Sequence, residues 1–428
     1  MQKVKMLFIV VVMGLSTQSV SAQLTLDECQ KLAMENYPLI KRYELIQQTT
    51  NYTLDNLSKG YLPQVSVDVQ ATWQSDVMAL PDALKSMLTT NGYNAKGIKK
   101  DQYKVGISVN QVIYDGGNIK AAQATASAEG DAQARKNDVD MYQLKERVNN
   151  LFFGILLAQE KIQLNEDMQS LLLDNCRKIE AMVKGGVAMK SDEDAIRAEY
   201  LNVHQQHTEL VSVKESYQRM LEIFIGKPVK SDLVKPTALV LSNDSSHRPE
   251  LQYFDAQTRV IGAKEKQLSA SLRPHLSLFA QGFYGYPGYN MFEDMFSHDW
   301  SLCGMIGLKI SWNLANFYTH KNDKQKLALS RSEIENAREV FLFNNNLQST
   351  ENQAAIERYR SVMAEDEEII NLRKSVRQAA ENKLAHGIID VNDLLQEINK
   401  ENNAKTTLSA HEIEMLKSIY DLKYTLNK

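Results

Sequence analysis

The sequence predicts a mixed α+β membrane protein, internally duplicated, with two membrane-type strands and one long helical hairpin in each half. Three observations carry this. Ser58–Val67 returns as Ser269–Leu278, each a polar helix pattern running through a proline into an alternating strand. Later landmarks pair at a constant offset: Gly106 with Gly307, Gly186 with Gly387, Asp192 with Asp393. A repeat this long is a duplicated half-molecule, not a solenoid unit. The strand segments alternate apolar and polar residues, and the helical segments carry heptads without proline.

The elements follow in order. Residues 1–22 form a secretory signal: Lys3 and Lys5, an apolar stretch from Met6 to Leu15, and the small-residue site Val20-Ser21-Ala22. The apolar run is too short to span a bilayer as a helix. No cysteine follows the cleavage site directly and Cys29 lies too far downstream, so the mature chain is read as not lipidated. Nothing in a chain of net charge −4 invites nucleic acid. No other segment approaches the apolar length of a spanning helix, which leaves a periplasmic, secreted or outer-membrane β-barrel protein. Cys29, Cys176 and Cys303 fall in separate predicted elements and form no disulfide framework.

The first repeat covers 23–226. A helix is expected over 25–60, with Thr25 as N-cap and Glu28 completing a capping box. Pro63 ends it, because the residue before a proline is pushed toward extended geometry. Val65, Val67, Val69, Ala71 and Trp73 then point one way, and Gln64, Ser66, Asp68, Gln70 and Thr72 the other. That is a strand with lipid on one side and water on the other. After a polar loop at 76–100, a second strand over 103–113 sets Tyr103, Val105, Ile107 and Val109 outward and Lys104, Ser108 and Asn110 inward.

A helical stretch over 118–184 follows. Leu144, Leu151, Ala158, Leu172 and Ile179 form one seam, and Val148, Ile155, Ile162, Cys176 and Val183 another, interrupted by Asn165 and Gln169. Gly185-Gly186 breaks it, and a helix returns over 190–226.

A linker occupies 227–247. The second repeat, 248–428, places strands near 275–286 and 302–312, the latter with Leu302, Ile306, Leu308, Ile310 and Trp312 on its apolar face. The third strand alternates poorly, leaving its facing open. Trp73, Tyr103, Tyr284, Tyr286 and Trp312 fall near strand ends, where interfacial aromatics belong. A helix over 318–385 carries Ile334, Phe341, Ala355, Val362, Ile369 and Val376 in heptad phase, with Gln348 the exception. It ends at His386-Gly387, and a helix returns over 391–426.

Four strands of about ten residues cannot close a membrane barrel, since the smallest have about eight. Unpaired backbone in lipid costs several kcal/mol per group. The strands are therefore shared among copies. An interior of about eight strands is filled by side chains, so a conducting pore favours three or more copies. The long helices have charged faces and belong in the periplasm.

The chain resembles the TolC-like outer-membrane efflux proteins. Leu24-Thr25-Leu26-Asp27-Glu28-Cys29-Gln30-Lys31-Leu32-Ala33 with Asn36-Tyr37-Pro38 looks like the family's first helix. Gln111-Val112-Ile113-Tyr114-Asp115-Gly116-Gly117 resembles its strand-to-helix junction. Arg248-Pro249-Glu250-Leu251 is similar to the opening of its second repeat, and Gly387-Ile388-Ile389-Asp390-Val391-Asn392-Asp393-Leu394-Leu395 to its hairpin tip. The resemblance implies a trimeric 12-stranded β-barrel, four strands per chain, continued by a long α-helical periplasmic barrel.

It further implies partnership with a periplasmic adaptor and an inner-membrane transporter, as a passive exit duct of a tripartite system. Adaptor contact would fall at the tips, Gly185, Gly186, Val187, Gly387 and Ile388. The gate would form at Asp393, with Gln396 where the family often has a second acid, Glu397 within a turn, and Asp192 as repeat partner. Residues that latch a closed tip in some members correspond to Leu384 and Ile389. Lipid-facing positions are Val65, Val67, Val69, Val105, Ile107, Val109, Leu308 and Ile310.

Simpler readings stand beside these. Asp192-Glu193-Asp194 also reads as a negatively charged helix start. His204 and His207 share a helix face without the HExxH of a zinc protease, and His411-Glu412 lacks a second histidine, so no metal site is assigned. Glu365–Glu368 reads as a solvated charge run. No phosphate loop, nucleophile elbow or dinucleotide fingerprint appears, so no enzyme and no cofactor are expected. The rival of another class is a periplasmic coiled-coil adaptor or scaffold. Such a chain would have one hairpin and no paired amphipathic strands.

Overall fold

The computed structural model describes residues 24–229, 232–238 and 247–427. The secretory signal and parts of the linker lie outside these residues.

Helix α1, Leu26–Asn36, opens with the Thr25 hydroxyl accepting from the Glu28 amide at 3.3 Å. The helix expected over 25–60 is in fact two. Pro38 disfavours helical geometry at Tyr37, which turns extended (φ −69, ψ 133). Helix α2, Ile40–Ser58, then restarts and ends in a 3-10 turn over Lys59–Tyr61.

The chain forms two compact units. The sheet unit comprises Lys41–Val139 and Arg248–Phe343. The helical unit comprises the residues up to Ile40, Asp140–His247 and the residues from Asn344. Each of the two repeats expected from the sequence would contribute to both.

In the sheet unit, β1 (Gln64–Trp73), β2 (Asp101–Tyr114), β3 (His275–Tyr286) and β4 (Ser301–Ser311) lie in that order, every pairing antiparallel. Helix α6, Pro249–Ala270, leads into β3 and has its proline at the first turn, where no amide is needed. The stretch between β1 and β2, expected as loop, contains helix α3, Asp82–Thr90. A single turn, α7 (Met291–Asp294), lies between β3 and β4.

These two connections pack together around Ile98, Tyr286 and Met295. The Lys96 and Gly97 amides donate to the Met295 carbonyl, and the Tyr286 hydroxyl donates to the Asp294 carbonyl at 3.2 Å. Tyr286 is therefore buried, not an interfacial aromatic as expected. Tyr103 and Tyr284 are exposed and flank Trp300, with centroids at 6.5 and 5.3 Å.

The long helices are α4 (Asn118–Lys184), α5 (Lys190–Ile225), α8 (Asn316–Ala385) and α9 (Val391–Leu426). With 67 residues, α4 is about 100 Å long at about 1.5 Å per residue. No helix among the described residues is long and apolar enough to cross a membrane. One core of the helical unit gathers Leu26, Cys29, Val148, Phe152, Phe153, Leu156, Leu221, Ile413 and Ile419. A second gathers Leu172, Ile179, Ile196, Leu384, Leu394 and Ile398 near the hairpin turns. Asn165 interrupts the α4 seam because it is buried there and donates to the Val203 carbonyl at 3.0 Å.

Helix α8 departs from its expected seam. Its buried positions are Asn345, Ser349, Ile356, Asp366, Arg377, Ala380 and Leu384, which fall in two heptad phases, neither of them the expected one. Ile369 and Val376 from the expected seam stay exposed, with Leu372 between them. Helix α8 thus carries a polar-rich seam into its own chain and leaves an apolar one uncovered.

Candidate channel wall and gate

Register fixes the two faces of the sheet, because residues directly opposite in an antiparallel pair share a face. Val65 faces Val109, Val67 faces Ile107, and Val69 faces Val105. The same face continues through Ala280 and Tyr284 of β3 to Ile306, Leu308 and Ile310 of β4. Leu276 and Leu278 join it opposite Ile310 and Leu308, which resolves the facing of the third strand. All of the expected lipid-facing positions fall on this one face. It is uncovered among the described residues: Val67 is 69% and Ile310 75% exposed.

The opposite face holds Ser66, Ser108, Gln281, Ser277 and Lys309. The Ser66 and Ser108 hydroxyls are hydrogen-bonded at 2.7 Å. Two large apolar residues also stand here, Phe279 and Phe283, and the repeat-related glycines make room for them. A Cβ on Gly307 would come 2.9 Å from the Phe279 ring, and one on Gly106 would come 3.3 Å from the Phe283 Cβ. Lys104 Nζ sits 4.8 Å from the Phe283 ring centroid, a cation–π contact. Strands β1 and β4 each have one neighbour and so present an open edge.

The hairpin turns are built alike. Gly186 (φ +72) and Gly387 (φ +68) adopt the left-handed geometry that ends α4 and α8. The Gly186 and Val187 amides donate to the Val183 and Met182 carbonyls. The Gly387 and Ile388 amides donate to those of Leu384 and Lys383. Both are Schellman caps. Gly185 is the residue that precedes the left-handed one. The apolar residue after each turn stays uncovered, Val187 and Ile388 both at 68% exposure.

The four residues expected at the gate differ in their surroundings. Asp192 sits in the first turn of α5, where its carboxylate accepts from the Met189 amide at 2.9 Å. In α9 the capping runs the other way: Asp390 accepts from the Asp393 amide at 2.9 Å. The Asp393 carboxylate is exposed and has no partner among the described residues. Gln396, one turn on, is exposed as well. Glu397 is tied down, 2.6 Å from Lys400 Nζ and 3.8 Å from Arg373. Leu384 is buried in the second helical core, and Ile389 packs against it.

Sequence reasoning missed the charges beneath this site. Arg377 of α8 and Glu401 of α9 are both buried and paired at 2.5 Å. Glu381 and Lys405 extend the group at 2.5 and 2.7 Å. Burial opposes ionisation of Glu401, but the bonds from Lys405 and Arg377 outweigh it and hold its carboxyl below the ordinary value. The signal was present as charge at heptad positions. His207, weighed as a metal ligand, lies 3.4 Å from Glu166. Among the described residues no group of three metal-ligating side chains forms.

Residues 30–218 match the family model described as outer membrane efflux protein. Among solved structures, VceC of Vibrio cholerae is 12% identical at a TM-score of 0.68, covering 94% of this chain and 95% of that one. CmeC of Campylobacter jejuni is 13% identical at 0.64, covering 94% and 85%. The open state of MtrE from Neisseria gonorrhoeae is 14% identical at 0.65, covering 94% and 88%. No curated protein matches significantly. These likenesses bear out the resemblance read from the sequence, and the chain has the fold of the outer-membrane efflux channels.

Proposed function

We propose that the chain is the outer-membrane exit duct of a tripartite efflux or export system. It acts as a passive homotrimeric channel gated where its helical hairpins end. The observation that carries this is the sheet: one face apolar and uncovered, the other polar, both edges open. Lipid is the environment that matches the apolar face, and water matches the polar one. Further copies satisfy the edges, and three bring about 12 strands, enough for an open lumen.

Solute crosses by diffusion along the polar face, so the chain itself performs no chemistry. Energy enters through partners, an inner-membrane transporter and a periplasmic adaptor. The adaptor docks on the exposed Val187 and Ile388 beside the paired glycine turns. The helical part stands in the periplasm of a Gram-negative cell. It is organised as two repeats, 23–226 and 248–428, around the linker at 227–247.

The test is purified protein in planar bilayers without nucleotide. The expected result is stepwise, ohmic conductance from inserted oligomers. Inserted oligomers that conduct nothing, or that conduct only with an energy source, contradict the reading.

A further inference from the structure

We propose that a basic cleft between α6 and α8 binds the phosphate of an anionic phospholipid, in the leaflet that meets the helix-attached ends of the strands. This rests on the reading that the apolar face of the sheet meets lipid. Helix α6 runs into β3 and α8 leaves β4, and His275 pairs with Ser311, so both helices join the sheet at one end. The cleft between them holds about 430 Å³ and is walled by Lys266, Ser269, Arg273, His320 and Lys324. Among the described residues one carboxylate lines it, Glu265, and that group is engaged by Arg331 at 3.2 Å.

Lys266 and Lys324 are exposed and have no ion-pair partner among the described residues. Arg273 spends one Nη1 hydrogen on the Gly116 carbonyl at 3.2 Å, which anchors the guanidinium and leaves its other donors. His320 supplies a separate clue. Its Nδ1 is buried with no hydrogen-bond partner among the described residues, an unsatisfied polar atom within the wall of the cleft.

The level of the cleft points to a headgroup. Trp312 continues the apolar alternation of β4 one residue past the strand, and its Nε1 donates to the Leu272 carbonyl at 2.8 Å. Phe317 sets its ring edge-on to Trp312, with centroids 6.2 Å apart. His320 and Lys324 follow Phe317 by one and two turns on the same helix face. Tryptophan beside an apolar strand face marks the membrane interface. Cations one turn beyond it meet the headgroup phosphates.

Inorganic phosphate has the same oxygen chemistry but no acyl chains, so the experiment carries both. The full chain, extracted in mild detergent, is titrated in native mass spectrometry with phosphatidylglycerol, phosphatidylethanolamine or inorganic phosphate. The expected result is preferential retention of phosphatidylglycerol that excess phosphate does not displace. Lys266→Ala/Lys324→Ala weakens that retention about 25-fold, at about fivefold per lysine, without changing the oligomer. Lys326→Ala behaves as the original protein, since that lysine lies in a different cleft and pairs with Asp323.

Unchanged retention in the double variant, equal loss in Lys326→Ala, or full displacement by phosphate would each overturn the lipid site. A chain that forms no membrane oligomer would instead remove the duct reading on which the site rests.

Discussion

Asp192 and Asp393, which pair at the constant offset of the sequence, have opposite duties. The carboxylate of Asp192 is consumed in capping α5, whereas Asp390 caps α9 and leaves the carboxylate of Asp393 free. Like charges brought together around one axis repel, and a ring of them favours cations. Asp393→Ala is therefore expected to weaken cation selectivity, raise conductance and reduce block by divalent ions in planar bilayers, with melting unchanged. Asp192→Ala is expected to do the reverse: about 1 kcal/mol of stability lost with its cap, seen in denaturant melts, and selectivity retained. Identical selectivity and block in Asp393→Ala and the original protein would remove Asp393 from the gate.

The elements show what a sequence can and cannot disclose. Strand faces were legible because period-2 alternation needs no partner to be read, and β1, β2 and β4 sit as the alternation predicts. Val67→Arg is accordingly expected to cost about 2–4 kcal/mol near mid-bilayer and Ser66→Arg almost nothing, measured by the yield of folded protein in the membrane. Equal damage at both positions would contradict this assignment of the faces.

The third strand resisted because Phe279 and Phe283 stand on the polar face, over the space left by Gly307 and Gly106. That is a cross-strand fit no single strand reveals. Pro38 was visible, yet the helical pattern on both sides masked the break. The α8 seam was misplaced because the buried positions of α8 are largely polar, with Asp366 and Arg377 among them, while Ile369 and Val376 of the apolar heptad stay exposed.

Glu401 shows the weight of that polar core. Its lowered pKa means that it stabilises the fold fully above the ordinary carboxylate value of 4.5. The contribution is lost as pH falls below that value and through the lowered one. Glu401→Gln, which leaves Arg377 buried with one acidic partner fewer, is expected to cost about 3 kcal/mol at neutral pH. Calorimetry should show the gap to the original protein closing on acidification. A gap independent of pH would mean that the loss is one of packing, not of charge.

At the scale of the molecule, the open sheet edges and the uncovered seam of Ile369, Leu372 and Val376 on α8 make the same demand for further copies of the chain. Burying that seam against a second copy removes apolar area from water at about 25 cal/mol per Å². Pairing β1 of one copy with β4 of the next leaves no backbone group unmatched in lipid. The central claim is that three copies close one barrel. The most direct measurement is the native mass of the protein extracted from outer membranes without cross-linker. The account predicts a single species of three mature chains that dissociates only on heating, with a matching shift in gel mobility. A soluble monomer released from the periplasm, or a membrane species of one or two chains, would contradict it.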